Sequence, residues 1–485
     1  MTATSSSSAG GTVRSLVPAR MDRLPWTRFH WSVVFGLGIS WVLDGLEIQI
    51  VASNGYAQTL NLTSAEVGVV GTVYLVGEVC GALYFGWLSD RLGRKRLFIL
   101  TLAIYLVGSG IAGFSFSYWF LLLFRFVAGA GIGGEYAAIN SAIDELIPSH
   151  YRGHVDIAIN GTYWGGAALG AAASLPLYNA DVIDQNWGWR IGFWIGPVIG
   201  LFIIYLRRHI PESPRWLVTH GHAADADGTV DEIERRVESQ GGQLRPVSDD
   251  EAIELRPIEH VPFRVIARVL FTKYPKRTLT GAAMMITQSF LYNAIFFSYA
   301  LVLQNFYDIP RDQTGYFFFP FAVGNLVGPL VLGRLFDTVG RRKMIFGTYV
   351  LSGLVLTASA ILFQAGTLDA VTQTVFWCVA FFFASAGASS AYLTVSETFP
   401  LELRSQAISY FFALAQIFGA VAPSVFGALV GDGSQRGPLT IGYFVGAGVM
   451  ILGGIIAIVF GTDAERKSLE AVSEPISLAH EPSRR

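Results

Sequence analysis

The chain has 485 residues, of which 52% are hydrophobic, 13% aromatic and only 14% charged, with a formal net charge of −2. Soluble domains carry about 25% charged residues, so soluble packing at this length would lack its polar skin. The near-neutral balance offers no basic surface for nucleic acid. Cys80 and Cys378 both sit inside apolar runs, which excludes a disulfide framework and a cysteine metal site.

The N-terminal stretch 1–28 begins MTATSSSSAGGTVR, polar and without an apolar core, and reads as a disordered cytoplasmic tail with no cleavable signal. Nearly uncharged runs of bilayer-spanning length follow at roughly 29–53, 64–88, 97–115, 118–143, 153–177 and 189–209. A polar stretch at 211–277, including DADGTVDEIERRVESQGG, reads as a cytoplasmic loop holding a solvated helix and a linker. Six more runs lie at roughly 278–305, 314–336, 344–365, 371–397, 405–430 and 438–461, before a cytoplasmic tail at 462–485. The predicted fold is an all-α membrane protein, with a six-helix domain over 29–210 and a pseudo-symmetric second over 278–461. With both termini inside, thirty Lys and Arg fall on the cytoplasmic side and three (Arg190, Arg311, Arg436) outside, while Arg125 is intramembrane. That asymmetry predicts a multi-pass protein of the cytoplasmic membrane.

The two halves repeat each other. GWLSDRLGRKR from Gly86 matches GRLFDTVGRRK from Gly333, aligning Asp90 with Asp337, Gly93 with Gly340 and Arg94 with Arg341. ELIPSHYR, with Glu145 and Arg152, is echoed by ETFPLELR, with Glu397 and Arg404. The same elements in the same order are the mark of parallel six-helix repeats.

The G-x-x-x-D-R-x-G-R-[KR] loop and its echo resemble the signature of the major facilitator superfamily, and the resemblance covers the whole chain. PESPRWL at 211–217 is similar to the sugar-porter branch, and GIGGEY at 131–136 to metabolite:proton symporters and synaptic-vesicle-protein-2-like members. The resemblance implies two halves rocking about a midplane site. It also implies gating by Gly86, Asp90, Arg91, Gly93 and Arg94, by Gly333, Asp337, Gly340 and Arg341, and by Glu145, Arg152, Glu397 and Arg404.

Charged side chains inside a membrane are costly, at least 2.5–3.5 kcal/mol on insertion scales, and mark function. GISWVLDGLEIQIVAS places Asp44 and Glu47 on one helix face, about 22 Å along it at 1.5 Å per residue. The fourth segment runs the other way and brings Arg125 to a similar depth, so pairing is expected. In the resemblance, Glu47 matches the proton-carrying carboxylate of sugar porters and Arg125 the arginine that opposes it. Glu135, deeper on the fourth segment, is a candidate relay. Glu78 and Asn325 occupy equivalent positions in the two halves, each twelve residues before the loop aspartate.

The second half offers amides instead. Gln288, Asn293 and Tyr299 in QSFLYNAIFFSY are similar to the sugar-porter seventh helix, and Asn325 and Gln416 lie at comparable depth. With Asn160, Tyr163 and Trp164 of NGTYWGG they form the candidate solute site. The tenth segment lacks the G-P-x-P-W that stacks on sugars, so the substrate stays open among sugar, organic acid and zwitterion. The expectation is a monomeric proton symporter taking up a small polar organic solute, with no cofactor, metal or enzymatic activity. The alternatives are a facilitator or exporter of a sugar or cationic solute, and a non-transporting receptor or scaffold.

Overall fold

The structure is a computed structural model and describes residues 13–207, 211–219, 221–255, 263–399 and 404–462. It opens with a strand β1 (Val13–Ser15) and a short helix α1 (Val17–Asp22). The first half then comprises α2 (Arg28–Ala52), the one-turn α3 (Gly55–Thr59), α4 (Ser64–Leu92), α5 (Arg94–Ala112), α6 (Tyr118–Leu146), α7 (Ser149–Leu177) and α8 (Gln185–Arg207). A connector carries α9 (Pro214–Thr219), α10 (Ala223–Ser239), β2 (Ile253–Leu255) and α11 (Phe263–Arg268). The second half comprises α12 (Pro275–Tyr307), α13 (Thr314–Thr338), α14 (Arg341–Gln364), α15 (Ala370–Thr398), α16 (Arg404–Val430) and α17 (Gly437–Phe460).

Ten of these long helices are long and apolar enough to cross a bilayer, and α6 and α7, at 29 residues each, pack among them. Large apolar side chains such as Phe35, Leu201, Val331 and Ile441 stand exposed on the outside, as a lipid-facing surface requires. The repeat is visible in the packing. In the first half α2 lies on α7 and α4 on α6; in the second, α12 lies on α16 and α13 on α15. Between the halves α4 packs on α16 and α7 on α13, the same contact exchanged by the pseudo-symmetry.

The signature loops have a backbone reason for their glycines. Gly93, between α4 and α5, has φ +85°, and Gly340, between α13 and α14, has φ +111°. Both conformations are strained for residues with a Cβ. Each allows one long helix to stop and the next to start within one residue (Gly93) or two (Val339 and Gly340).

Residues 13–24 are ordered, against the expectation of a disordered tail. β1 pairs antiparallel with β2, the one strand pairing among the described residues. Helix α1 packs Val17 and Met21 against Val230, Ile233 and Val237 of α10. Those three, with Ala226, form an apolar stripe at helical spacing, so α10 is not solvated all round as its charges implied. Arg20 binds Glu234 through two nitrogens, at 2.7 and 3.0 Å, and Arg23 reaches the same carboxylate at 2.6 Å. The tail and the connector therefore clasp each other at one end of the bundle, called here the loop end. The opposite end is the far end.

Candidate functional site

Helix α2 carries Asp44 and Glu47, and both are fully buried. It can lie close to α7 because a Cβ at Gly45 would collide with the Tyr163 carbonyl, and one at Gly166 with the Val42 carbonyl. Helix α6 presents Arg125, followed by glycines at every second position. Cβ atoms on Gly129 and Gly133 would strike the carbonyls of Tyr74 and Glu78 on α4, while one on Gly131 would strike the Tyr105 backbone on α5. These glycines set α6 against two helices at once and hold Arg125 at fixed depth.

Arg125 Nη1 donates to Glu47 Oε1 at 2.9 Å, with both side chains at most 1% exposed. The guanidinium lies over the Tyr74 ring, 4.1 Å from its centroid, and 5.6 Å from that of Phe193. Asp44 does not share this arginine. Its two oxygens accept instead from Tyr74 OH at 3.3 Å and Tyr136 OH at 2.8 Å. Tyr74 thus touches both charged groups, offering its ring face to Arg125 and its hydroxyl to Asp44. Neither tyrosine was a sequence candidate, since both look like ordinary aromatic packing; a hydroxyl at the depth of an intramembrane acid is the signal that could have found them.

Beside this network, between the halves, lies a cavity of about 210 Å³. The first half contributes Trp41, Glu78, Tyr136, Asn160, Tyr163 and Trp164 to its wall. The second contributes Gln288, Asn293, Tyr292, Phe296, Phe412 and Gln416. Tyr136 is the link, because it lines the cavity and holds Asp44. Trp164 sits 5.7 Å from Tyr292 and 6.0 Å from Phe321, ring centroid to centroid, so an aromatic corner spans both halves. Glu47, Asp44 and Arg125 lie behind the wall rather than on it. Glu135 is buried behind it as well.

Six of the eight predicted solute residues meet on this wall: Asn160, Tyr163, Trp164, Gln288, Asn293 and Gln416. Tyr299 and Asn325 do not. Tyr299 OH accepts from Gln49 Nε2 at 2.5 Å and lies 3.3 Å from Ser53 Oγ, joining α12 to α2 toward the far end. Asn325 is fully buried off the wall, its Oδ1 accepting from Tyr292 OH at 2.9 Å and its Nδ2 donating to the Phe321 carbonyl at 3.0 Å.

Of the gate candidates, a Cβ on Gly86 would lie 3.7 Å from Ser409 Oγ across the α4–α16 boundary, whereas Gly333 has open space around it. Arg341 is buried. The Gly93 loop is tied to PESPRWL, since Glu212 accepts from the Lys95 backbone N–H at 3.2 Å. The side chains of Asp90, Arg91, Arg94, Glu145, Arg152, Asp337, Glu397 and Arg404 lie outside the described residues.

Residues 40–475 match the family model described as sugar (and other) transporter. The chain belongs to the sugar (and other) transporter family. Among curated members, the niacin transporter NiaP of Acinetobacter baylyi is 26% identical over 94% of this chain and 99% of its own length. A probable 4-methylmuconolactone transporter of Cupriavidus pinatubonensis is 37% identical over 36% of this chain and 40% of its own length. Among solved structures, a D-xylose-proton symporter superposes with TM-score 0.69 at 17% identity, covering 91% of this chain and 100% of that one. The inward-open xylose transporter XylE from E. coli gives TM-score 0.65 at 19% identity, covering 92% and 98%. The fold is that of the major facilitator superfamily, and the protein is a multi-pass membrane transporter of this family, not an enzyme.

Proposed function

We propose that the protein is a proton-coupled symporter that takes up a small polar ring compound by alternating access. It acts as a monomer in the cytoplasmic membrane, with both termini in the cytoplasm. One observation carries the reading: the buried Glu47–Arg125 pair connects, through Tyr74, Asp44 and Tyr136, to the wall of the cavity. A carboxylate paired with an arginine is held ionised, and one released from it into an apolar site is driven to take up a proton. A network touching both the pair and the solute cavity can exchange one state for the other as solute binds. The ring preference follows from the Trp164, Tyr292 and Phe296 corner, because aromatic surfaces stack on planar solutes while the flanking amides fix orientation. The solutes named in two relatives, niacin and 4-methylmuconolactone, agree with the ring size alone, since both carry an acid group and so say nothing for a cationic solute.

The test is uptake into liposomes under an imposed inward proton gradient, with niacin and related ring compounds as trial solutes. Accumulation that needs the gradient in the natural protein, and is lost in Glu47→Gln while solute exchange survives, supports symport. Gradient-independent equilibration makes the protein a facilitator, and outward movement makes it an exporter. Solute binding without any translocation would mark a receptor.

A further inference from the structure

Glu78 projects from α4 onto the cavity wall, only 2% exposed, and accepts a hydrogen bond from Gln416 of α16 in the opposite half. The orientation of Gln416 is dictated by its neighbours. Its Oε1 accepts from Ser289 Oγ, so its Nε2 is the end that faces Glu78. Ser289 Oγ in turn accepts from Asn293 Nδ2 at 3.3 Å. A one-way run of donors therefore crosses the boundary between the halves and ends on the Glu78 carboxylate.

Gln288 points the same way. Its Nε2 donates to the Ala384 carbonyl at 3.1 Å, and a carbonyl can only accept, so Oε1 is the free end. That oxygen is buried on the cavity wall with no hydrogen-bond partner among the described residues. A buried unpaired acceptor is costly, by about 1–3 kcal/mol, unless a ligand supplies a donor. Among the described wall residues there is no Lys, Arg or His, and Glu78 is the one carboxyl group.

We infer that Glu78 selects the charge of the solute, which carries a cationic, hydrogen-bond-donating nitrogen that displaces the Gln416 amide from this carboxylate. Gln288 Oε1 is the second acceptor for the same donor-rich end. A cation adds Coulomb attraction to the charge-assisted hydrogen bond that a neutral amide already makes with a carboxylate, so the exchange favours a cation over an anion. Because Gln416 belongs to the other half, the solute replaces a bond between the halves with one of its own, loosening the α4–α16 contact as it binds. The inference rests on the reading of the cavity as a ring-solute site.

Benzamidine, benzamide and benzoate have nearly the same shape and carry charges of +1, 0 and −1. Calorimetric titration of each into the purified protein separates charge from shape. The natural protein is expected to bind benzamidine about tenfold tighter than benzamide, with benzoate weakest; tenfold corresponds to about 1.4 kcal/mol. Glu78→Gln should cost benzamidine about tenfold and leave benzamide within about twofold, the latter also reporting an intact cavity. Gln416→Leu should tighten benzamidine, because the competing donor is gone. Tightest binding of benzoate, or an unchanged charge preference in Glu78→Gln, would overturn the inference and leave the ring-solute reading standing. Failure of all three compounds to bind would overturn both.

Discussion

Glu47 and Arg125, 78 residues apart in the chain, meet at 2.9 Å in a part of the bundle where neither is exposed by more than 1%. Removing one partner of a buried pair strands the other charge, which costs about 3–5 kcal/mol, whereas replacing both with apolar groups of similar volume is often nearly neutral. Glu47→Gln is therefore expected to lower the melting temperature in detergent markedly. The double variant Glu47→Leu with Arg125→Met should recover most of that loss while remaining inactive in gradient-driven uptake. If the double variant melts no higher than the single one, the pair is not an isolated electrostatic unit.

The pair was legible because two intramembrane charges of opposite sign lay at matching depth on antiparallel segments, a relation that needs only helix rise and topology. The separation of Asp44 from that pair was not legible. Three-residue spacing places Asp44 and Glu47 on one face, but cannot tell which neighbouring helix brings a hydroxyl to one and a guanidinium to the other. Tyr299 shows the converse problem: its motif spacing suits a solute contact, yet tertiary packing spends its hydroxyl on Gln49 and Ser53. The tail at 13–24 was hidden by its company, because Val17, Met21 and Leu24 are too few to stand out beside a serine-rich start, and α10, which covers them, is more than 200 residues away. Fold class and repeat were legible because each rests on many residues rather than one.

Close helix contact on α6 is expected to tolerate no side chain at one glycine while tolerating it elsewhere. A Cβ on Gly133 would collide with the Glu78 carbonyl and its Cα, both backbone atoms that cannot move aside, whereas Gly165 on α7 has nothing within 4 Å. Overpacking costs about 1–3 kcal/mol where the neighbours cannot relax. Gly133→Ala should reduce folded yield and thermal stability clearly, and Gly165→Ala should change neither, as judged by size-exclusion profile and melting temperature. Equal behaviour of the two would mean that α4 and α6 are not in this contact in the membrane.

Trp164 anchors the aromatic corner, with Tyr163, Tyr292 and Phe296 around it. Aromatic pairs contribute about 0.5–1.5 kcal/mol beyond the area they bury, which corresponds to roughly two- to tenfold in affinity. Trp164→Ala should weaken ring-solute binding by at least that amount, since it also removes buried surface, and Trp164→Phe should restore part of it. Binding affinity measured for both variants decides the point; an unaffected Trp164→Ala would remove this corner from the solute site.

The clasp at the loop end makes a prediction of a different kind. Burial lowers the affinity of Arg20 for its proton, but its bonds to Glu234 and Asp231 outweigh that and hold its pKa above the ordinary arginine value. A raised folded-state pKa adds stability that is present below the unfolded value and lost only above the folded one. The clasp should therefore hold through neutral and mildly alkaline pH. Salt is the sensitive variable, because the Debye length falls from about 10 Å at 0.1 M to about 3 Å at 1 M, and partly exposed pairs contribute only about 0.2–1 kcal/mol each. Arg20→Ala combined with Arg23→Ala should expose residues 13–28 to limited proteolysis several times faster than in the natural protein, and 1 M salt should narrow the difference. The apolar contact of Val17 and Met21 with Val230 and Ile233 persists in that variant, so cleavage accelerates without becoming immediate. Introducing Met21→Asp as well puts a charge into that remaining contact and should take cleavage toward the rate of an unfolded segment. Cleavage at the natural rate in both variants would show that neither the charges nor the apolar stripe holds the tail to α10.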